Sequence, residues 1–456
     1  MRNGLGNSIK RSLVAAVVVS TLYPAVAMSQ TLEQAVATTL DTNPELQQAL
    51  SRFKVREEQA NQVFGDYLPT VDLTAGYGWK QSSTPQSRLQ KDGMVDSEVP
   101  EVGLSIRQTL FNGFATGNEL SRLNHEAQAE QWKLFGTAED IALSVVKVYI
   151  NYLVEEQIVV LAQKNVDKHQ ILFDQIKEKT ESGLGSTADL SQSKGRLARA
   201  YSNLMSAENN AADARSEFIR VVNEAPVDVI APMVDHDMIP PTLEQAITIA
   251  EKNHPIIKSA NSDIDAARSE RKAAKSNYYP EITLELGGQW SDEKFDYTNA
   301  LEGEDKELQA AIQMRYNLFN GGKDASRVRE AAYKINEAKG VQQNTFRDVK
   351  DGTTLAWNAN SFLGKQKDYI RTHVEASKET QSAYEHQFRL GQRSLLDLLD
   401  SENELFEARK SYLRAEFDEL LSQYRILHAT GQLVSSLRVT TPESWNVGSD
   451  SQGEAK

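Results

Sequence analysis

Thr31-Leu-Glu-Gln-Ala-Val36 returns as Thr242-Leu-Glu-Gln-Ala-Ile247, 211 positions further along the chain. The same shift pairs Pro44 with Pro255, Tyr67 with Tyr278, Pro69 with Pro280 and Trp79 with Trp290. After an intervening loop the shift becomes 208. Leu110-Phe-Asn-Gly113 then matches Leu318-Phe-Asn-Gly321, and Gly183, Ser186 and Asp189 match Gly391, Ser394 and Asp397. Matches at a near-constant offset, in one order, mark an internal duplication. The first repeat covers 30–230 and the second 242–440, joined by a linker at 231–241 that holds Pro232, Pro240 and Pro241 and followed by a polar tail at 441–456.

Each repeat carries one pair of strand-like segments. Val71, Leu73, Ala75, Tyr77 and Trp79 alternate with Thr70, Asp72, Thr74, Gly76 and Gly78, and Ile282, Leu284, Leu286 and Trp290 repeat this against Glu281, Thr283, Glu285 and Gln289. Period two gives each segment an apolar and a polar face. The returning segments alternate as well, through Val102, Leu104 and Ile106 and through Leu308, Ile312, Met314 and Tyr316. Four strands follow, near 69–80, 99–110, 280–290 and 307–318. Their length, dyad pattern and terminal aromatics suit a transmembrane barrel, with a half-buried soluble sheet as the other possibility. Four strands cannot close a barrel, so spanning a membrane requires several copies. Arg107 and Arg315 occupy equivalent polar-face positions and are expected to line the lumen.

Long helices fill most of the remainder. From about 115 to 181 there is no proline, and Ile141, Val145, Val148, Tyr152, Val159, Ala162, Val166, Phe173 and Ile176 follow 4,3 spacing, with Glu155 and His169 at the two polar seam positions. A second row, Val146, Ile150, Leu153 and Val160, runs on nearly the opposite flank. Two seams mean two neighbours, as in a wall of helices. Shorter helices near 45–66 and 187–222 can stack end to end beside the long one. The second repeat has the same plan near 256–277, 323–389 and 395–430.

Composition narrows the function. The formal charge is −14, unsuited to nucleic acid. With no cysteine, disulfides, thiolate metal sites, cysteine catalysis and lipobox lipidation are excluded. The seven histidines form no metal-ligand spacing, and no phosphate loop or nucleophile elbow is present, so neither an enzyme activity, a metal nor any cofactor is expected. Residues 1–29 read as an export signal, with basic Arg2, Lys10 and Arg11, the apolar run Leu13–Tyr23, and small residues permitting cleavage after Ala27 or Ser29.

The chain resembles the TolC family of outer-membrane factors over nearly all its mature length. The resemblance rests on the Leu-Glu-Gln-Ala openings, the Leu68-Pro69 and Tyr279-Pro280 strand entries, the Leu-Phe-Asn-Gly strand exits, and the hairpin tips Gly183–Asp189 and Gly391–Asp400. It implies a mainly α protomer with a transmembrane β part, assembled as a homotrimer with a 12-stranded β-barrel and a 12-helix periplasmic α-barrel. It also implies docking to a periplasmic adaptor and an inner-membrane ABC or proton-driven transporter, with outer-membrane lipid around the barrel. Gly183, Leu184, Gly185, Ser186, Leu390, Gly391, Gln392 and Ser394 would be the adaptor contacts.

At the tips, Gly183 and Gly391 sit where helices end, and Ser186 and Ser394 can cap the next helices with Asp189 and Asp397 in capping-box position. Asp400 lies one turn beyond Asp397, and its counterpart is the uncharged Gln192. Three chains would bring six carboxylates from Asp397 and Asp400 to the narrow end, where they attract cations. The resemblance assigns these two to a selectivity ring and pairs Arg393 with Asp189 as a gate latch. The family's Thr and Tyr latch partners correspond here to Ala188 and Phe388, which implies a closed state held by fewer hydrogen bonds. The expected role is a passive exit duct, for type I protein secretion ahead of small-molecule efflux. A periplasmic coiled-coil adaptor or scaffold is the rival from another class.

Overall fold

The computed structural model describes residues 29–83, 94–295 and 303–447. The export signal, save Ser29, and the end of the polar tail, 448–456, lie outside the described residues. In chain order the first repeat forms α1 (Leu32–Thr42), α2 (Pro44–Gly65), β1 (Thr70–Ser82), β2 (Val95–Asn112), α3 (Ala115–Glu181) and α4 (Thr187–Val222). The second forms α5 (Leu243–Asn253), α6 (Pro255–Ala273), β3 (Glu281–Phe295), β4 (Gly303–Arg315), α7 (Lys323–Arg389) and α8 (Leu395–Ala429), with the short α9 (Leu433–Ser436) after it.

The repeated opening is a capped helix that the hydrophobic spacing left out. Thr31 Oγ1 accepts the Gln34 N–H at 3.3 Å while Gln34 Oε1 accepts the Thr31 N–H at 3.1 Å, a complete capping box at the head of α1. A proline then opens α2, with Asn43 Oδ1 accepting the Glu45 N–H at 2.8 Å. In the second repeat Thr242 Oγ1 accepts the Gln245 N–H at 3.3 Å at the head of α5, and His254 Nδ1 accepts the Ile256 N–H ahead of Pro255.

The Leu-Phe-Asn-Gly exits also acquire a physical reason. β2 passes into α3 through two successive left-handed residues, Gly113 (φ 64°) and Phe114 (φ 65°), and Gly321 and Gly322 (φ 56° and 78°) serve the other repeat. A Cβ on Gly113 would strike the Ser276 carbonyl oxygen and come within 2.8 Å of Tyr279 Cβ. Asn112 Nδ2 donates to Thr116 Oγ1 at 2.7 Å, fixing the first turn of α3.

The strands form one antiparallel sheet in the order β1-β2-β3-β4. The ladders continue past the apolar alternation at the hairpin ends, pairing Trp79 with Glu98 and Glu98 with Lys294, which is why β2 starts at Val95 and β3 ends at Phe295. β4 ends at Arg315, so Tyr316, Leu318 and Phe319 lie beyond the ladder and are exposed.

The helices form four columns: α2 above α4, then α3, then α6 above α8, then α7. At about 1.5 Å per residue the 67-residue α3 and α7 each span ~100 Å. The main core surrounds the middle of α3, where Val145, Val146 and Tyr149 meet Val36, Phe53, Phe218 and Leu427 with no accessible surface. The Tyr149 hydroxyl reaches the carbonyl oxygens of Gln30 and Ile230, tying the two ends of the first repeat to that core. Glu155 and His169 are buried at their seam positions, whereas Val160 departs from the second seam and is exposed. A separate cluster at the tips joins Leu172 and Ile176 of α3 to Leu395, Leu398 and Leu399 of α8.

Candidate functional site: membrane band and coil tips

The strand register sorts the sheet into two chemically distinct faces. Val71, Ile106, Leu286 and Ala310 align across all four strands, as do Leu73, Leu104, Gly288 and Leu308. On the opposite face Thr70, Arg107, Glu285 and Ala311 align, followed by Asp72, Ser105, Gly287 and Gln309. Leu73, Tyr77, Trp79, Leu308 and Ile312 are all more than two-thirds exposed or close to it, an apolar surface that water would not favour. Trp79, Tyr77 and Trp290 stand towards the hairpin ends, while Tyr67, Phe114, Tyr279 and Tyr316 gather where strands meet helices. From Tyr67 to Trp79 is 12 positions. At ~3.3 Å per residue and a tilt of ~40° that is roughly 30 Å, the height of a hydrocarbon core flanked by aromatic girdles. A bulge between Thr109 and Phe111 turns Phe111 onto the apolar face beside Ile282. No helix among the described residues is long and apolar enough to cross a membrane.

The polar face is wired across strands. Arg107 Nη2 lies 2.8 Å from Glu285 Oε1, and Gln313 Nε2 donates to Glu285 Oε2 at 2.7 Å. Arg315 lies opposite Glu281 at the helix end of the same face.

At the far end of the coils, each long helix stops on a left-handed glycine, Gly183 (φ 76°) or Gly391 (φ 72°). The Leu184 N–H reaches back to the Lys179 carbonyl at 2.8 Å and that of Gln392 to Gln387 at 2.9 Å, completing Schellman turns. These turns push Leu184 and Leu390 into solvent. Ser186 Oγ caps α4 through the Ala188 N–H at 3.1 Å, and Ser394 Oγ caps α8 through Asp397 N–H at 3.2 Å. Among the described residues neither Asp189 nor Asp397 completes a capping box, so both carboxylates remain available for other partners.

Arg393 is engaged within its own protomer. Its guanidinium lies over the Tyr384 ring at 4.1 Å, Nε donates to Gln387 at 3.0 Å, and Nη1 is 3.7 Å from Asp397 Oδ2. Asp189 makes no ion pair among the described residues of the same protomer. Phe388 lies under the Lys179 ammonium at 5.1 Å. Tyr384, one turn before Phe388, therefore puts an aromatic ring against Arg393, a contact that sequence spacing did not suggest. Asp400 is bonded to Arg196 of α4. Higher up, Lys168 bridges Glu385 at 3.1 Å and Glu402 at 3.7 Å, and Gln381 donates to Glu402 at 2.6 Å. Burial pushes the Glu402 carboxyl above the usual carboxylate range, against Lys168. No group of metal-ligating side chains occurs among the described residues.

A duplicated, girdled sheet on duplicated coils is matched by comparison with known proteins. The outer membrane efflux protein family matches the chain twice, over residues 35–224 and 246–432. The chain belongs to that family. Its efflux-protein relatives include the outer membrane efflux protein BepC of Brucella suis, 22% identical over 95% of this chain and 93% of BepC. AprF of Pseudomonas aeruginosa, an alkaline protease secretion protein, is 21% identical over 86% of this chain and 83% of AprF. The Campylobacter jejuni CmeC outer membrane channel superposes with a TM-score of 0.74 at 16% identity, covering 88% of this chain and 86% of CmeC. The protein is thus a TolC-type efflux channel of the outer membrane with a large periplasmic portion, a passive conduit of a tripartite export system and not an enzyme.

Proposed function

We propose that three copies of this efflux-family chain close into one duct that delivers protein cargo outward as the last stage of type I secretion. What carries the trimer is that strands and helices leave the same two sides open. β1 and the α2/α4 column lie on one side, β4 and α7 on the other. Each sheet edge is 13 residues long, and its unpaired backbone groups cannot stay unsatisfied in hydrocarbon. α7 buries only five of its 67 residues and exposes Val341, Leu355, Phe362 and Tyr369 in one heptad register. The opposite column exposes Val55, Tyr201 and Met205. Joining β4 of one copy to β1 of the next continues the antiparallel alternation. Two copies would give eight strands, a bore that side chains fill, whereas three leave a lumen.

In this assembly Arg107 and Arg315 line the bore, Asp397 and Asp400 ring the narrow end, and Arg393 reaches Asp189 of a neighbouring copy as the latch. The exposed turns at Gly183, Leu184, Gly185, Ser186, Leu390, Gly391, Gln392 and Ser394 receive a periplasmic adaptor, which links the duct to an ABC transporter. Protein cargo is supported by the likeness to AprF; the likeness to BepC supports efflux of small molecules as the second reading. Deleting the gene separates them. Loss of specific proteins from the culture medium with unchanged drug tolerance supports secretion, and the reverse pattern supports efflux. Mass measurement of the detergent-extracted protein tests the trimer, and a monomer would overturn it.

A further inference from the structure

Each tip carboxylate of the second hairpin carries its own arginine, and the two arginines stand on different parts of the fold. Arg393 lies four residues before Asp397 on the same connection, so that pair stays together however the hairpins move. Arg196 is on α4, in the first hairpin, and bonds Asp400 on α8, in the second. Arg196 is the more enclosed partner, with 24% of its side chain exposed against 55% for Asp400. Among the described residues, other links join the hairpins along their length, including Arg414 to Glu155 at 3.3 Å, His428 to Asp140 at 2.8 Å, and Lys168 to Glu385 and Glu402. On α8, Asp400 stands two residues nearer the tip than Glu402. The repeats are not equivalent here: the counterparts of Arg196 and Asp400 at the 208-residue shift are Glu404 and Gln192, and Glu404 pairs with His373 at 3.2 Å.

We propose that Arg196 is a charge mask on the gate. With the hairpins packed together it cancels the charge of Asp400; when they part to widen the tip, Asp400 is left bare and the constriction becomes anionic as it opens. Half-exposed pairs of this kind hold structure only weakly, so separation of the hairpins is not strongly opposed. Three bared carboxylates in a narrow water-filled passage raise the local cation concentration, because their fields act within a Debye length of the conducting path. The inference rests on the proposed ring at Asp397 and Asp400.

The test is single-channel recording of the full-length trimer in planar bilayers, with reversal potentials under a KCl gradient. Arg196→Gln is expected to raise the cation-to-anion permeability ratio about twofold or more. Arg196→Lys, which keeps the charge, should stay near the unsubstituted value. Asp400→Asn should lower the ratio, and adding Arg196→Gln to Asp400→Asn should bring it back no higher than the unsubstituted value. If Arg196→Gln leaves ratio and conductance unchanged while Asp400→Asn lowers the ratio, the ring stands and the mask is wrong. If Asp400→Asn also changes nothing, the ring fails with it. Trimer bands on unheated gels establish that each variant has assembled before recording.

Discussion

At the scale of single residues, the clearest energetic feature is Glu139, a carboxyl buried in the middle of α3. Its oxygens accept the Leu433 N–H at 2.9 Å and the Val434 N–H at 3.3 Å, holding α9 against the long helix. Burial pushes its pKa from 4.5 up to about 8, and the two backbone donors only partly oppose this. A carboxyl raised on folding contributes stability that is complete below about pH 4.5 and is lost as pH rises through about 8. Glu139→Gln keeps an acceptor for both N–H groups without a charge. Its melting temperature should match that of the unsubstituted protein near the acid end of that window and exceed it increasingly towards pH 8. Parallel thermal melts across the window check this; a constant difference would remove titration of Glu139 as the cause. Gly113 is constrained by backbone geometry. Gly113→Ala combines a left-handed φ, which costs ~1–2 kcal/mol for an L side chain, with contacts on Ser276 and Tyr279. A lower melting temperature and poorer barrel assembly are expected, while Gly321→Ala, with nothing within 4 Å, should cost less.

Among elements, the junctions between half-length helices matter most. α8 ends at Gly431 (φ 67°), where a Cβ would come within 2.8 Å of Pro255 and 2.9 Å of the His254 backbone. There the C-terminus of α8 abuts the N-terminus of α6. His254 caps α6 through Nδ1, which requires a neutral ring, and burial together with nearby His428 lowers its pKa to about 4, although Asp140 acts the other way. A histidine depressed from 6.5 to about 4 contributes stability that is present above about pH 6.5 and lost as pH falls through about 4. His254→Asn, which can cap without titrating, should flatten the acid limb of a stability-against-pH curve, and an unchanged limb would place the acid sensitivity elsewhere. At the next element pair, Phe218 of α4 packs against Tyr149 and Tyr152 with no accessible surface. Phe218→Ala should cost ~3–5 kcal/mol, measured as a shift in the denaturant midpoint.

Periodicity made much of this level legible. α3 spans Ala115–Glu181 because that stretch lacks proline and keeps its apolar residues at helical spacing. The turns were readable from Gly183 and Gly391, since a helix end needs a left-handed residue. The opening helices α1 and α5 escaped hydrophobic spacing, being short, although their Thr-x-x-Gln caps were present in the sequence. The strands extend outward of Trp79 and Trp290, because hydrogen bonding continues where the apolar alternation stops. Arg196 and Tyr384 gave no signal. A cation in a helix rich in charge looks like any solvated residue until another hairpin is folded against it.

For the whole molecule, the exposed heptad row on α7 is the decisive surface. In the proposed trimer Phe362 and Tyr369 pack against the column of α2 and α4 in the next copy. Phe362→Asp should weaken the trimer, read as loss of the trimer band on unheated gels at lower detergent or temperature. The same substitution should leave the helix content of the monomer unchanged, because α7 keeps its contact with α8 on its other face. A trimer of undiminished resistance would mean that this face is not an interface.

The duplication, the order of strands and helices, the two-faced strands and the glycine-ended hairpins are all legible along the chain, because each depends on local spacing or backbone conformation that neighbouring residues dictate. Which side chains meet across the coils is set by the folded arrangement. Arg196 with Asp400, Arg393 with Tyr384, and Glu139 with the start of α9 depend on how separate helices are rotated and set at one height. A side chain's partner across a helical interface is fixed by packing of the whole wall, and no spacing along one helix encodes it.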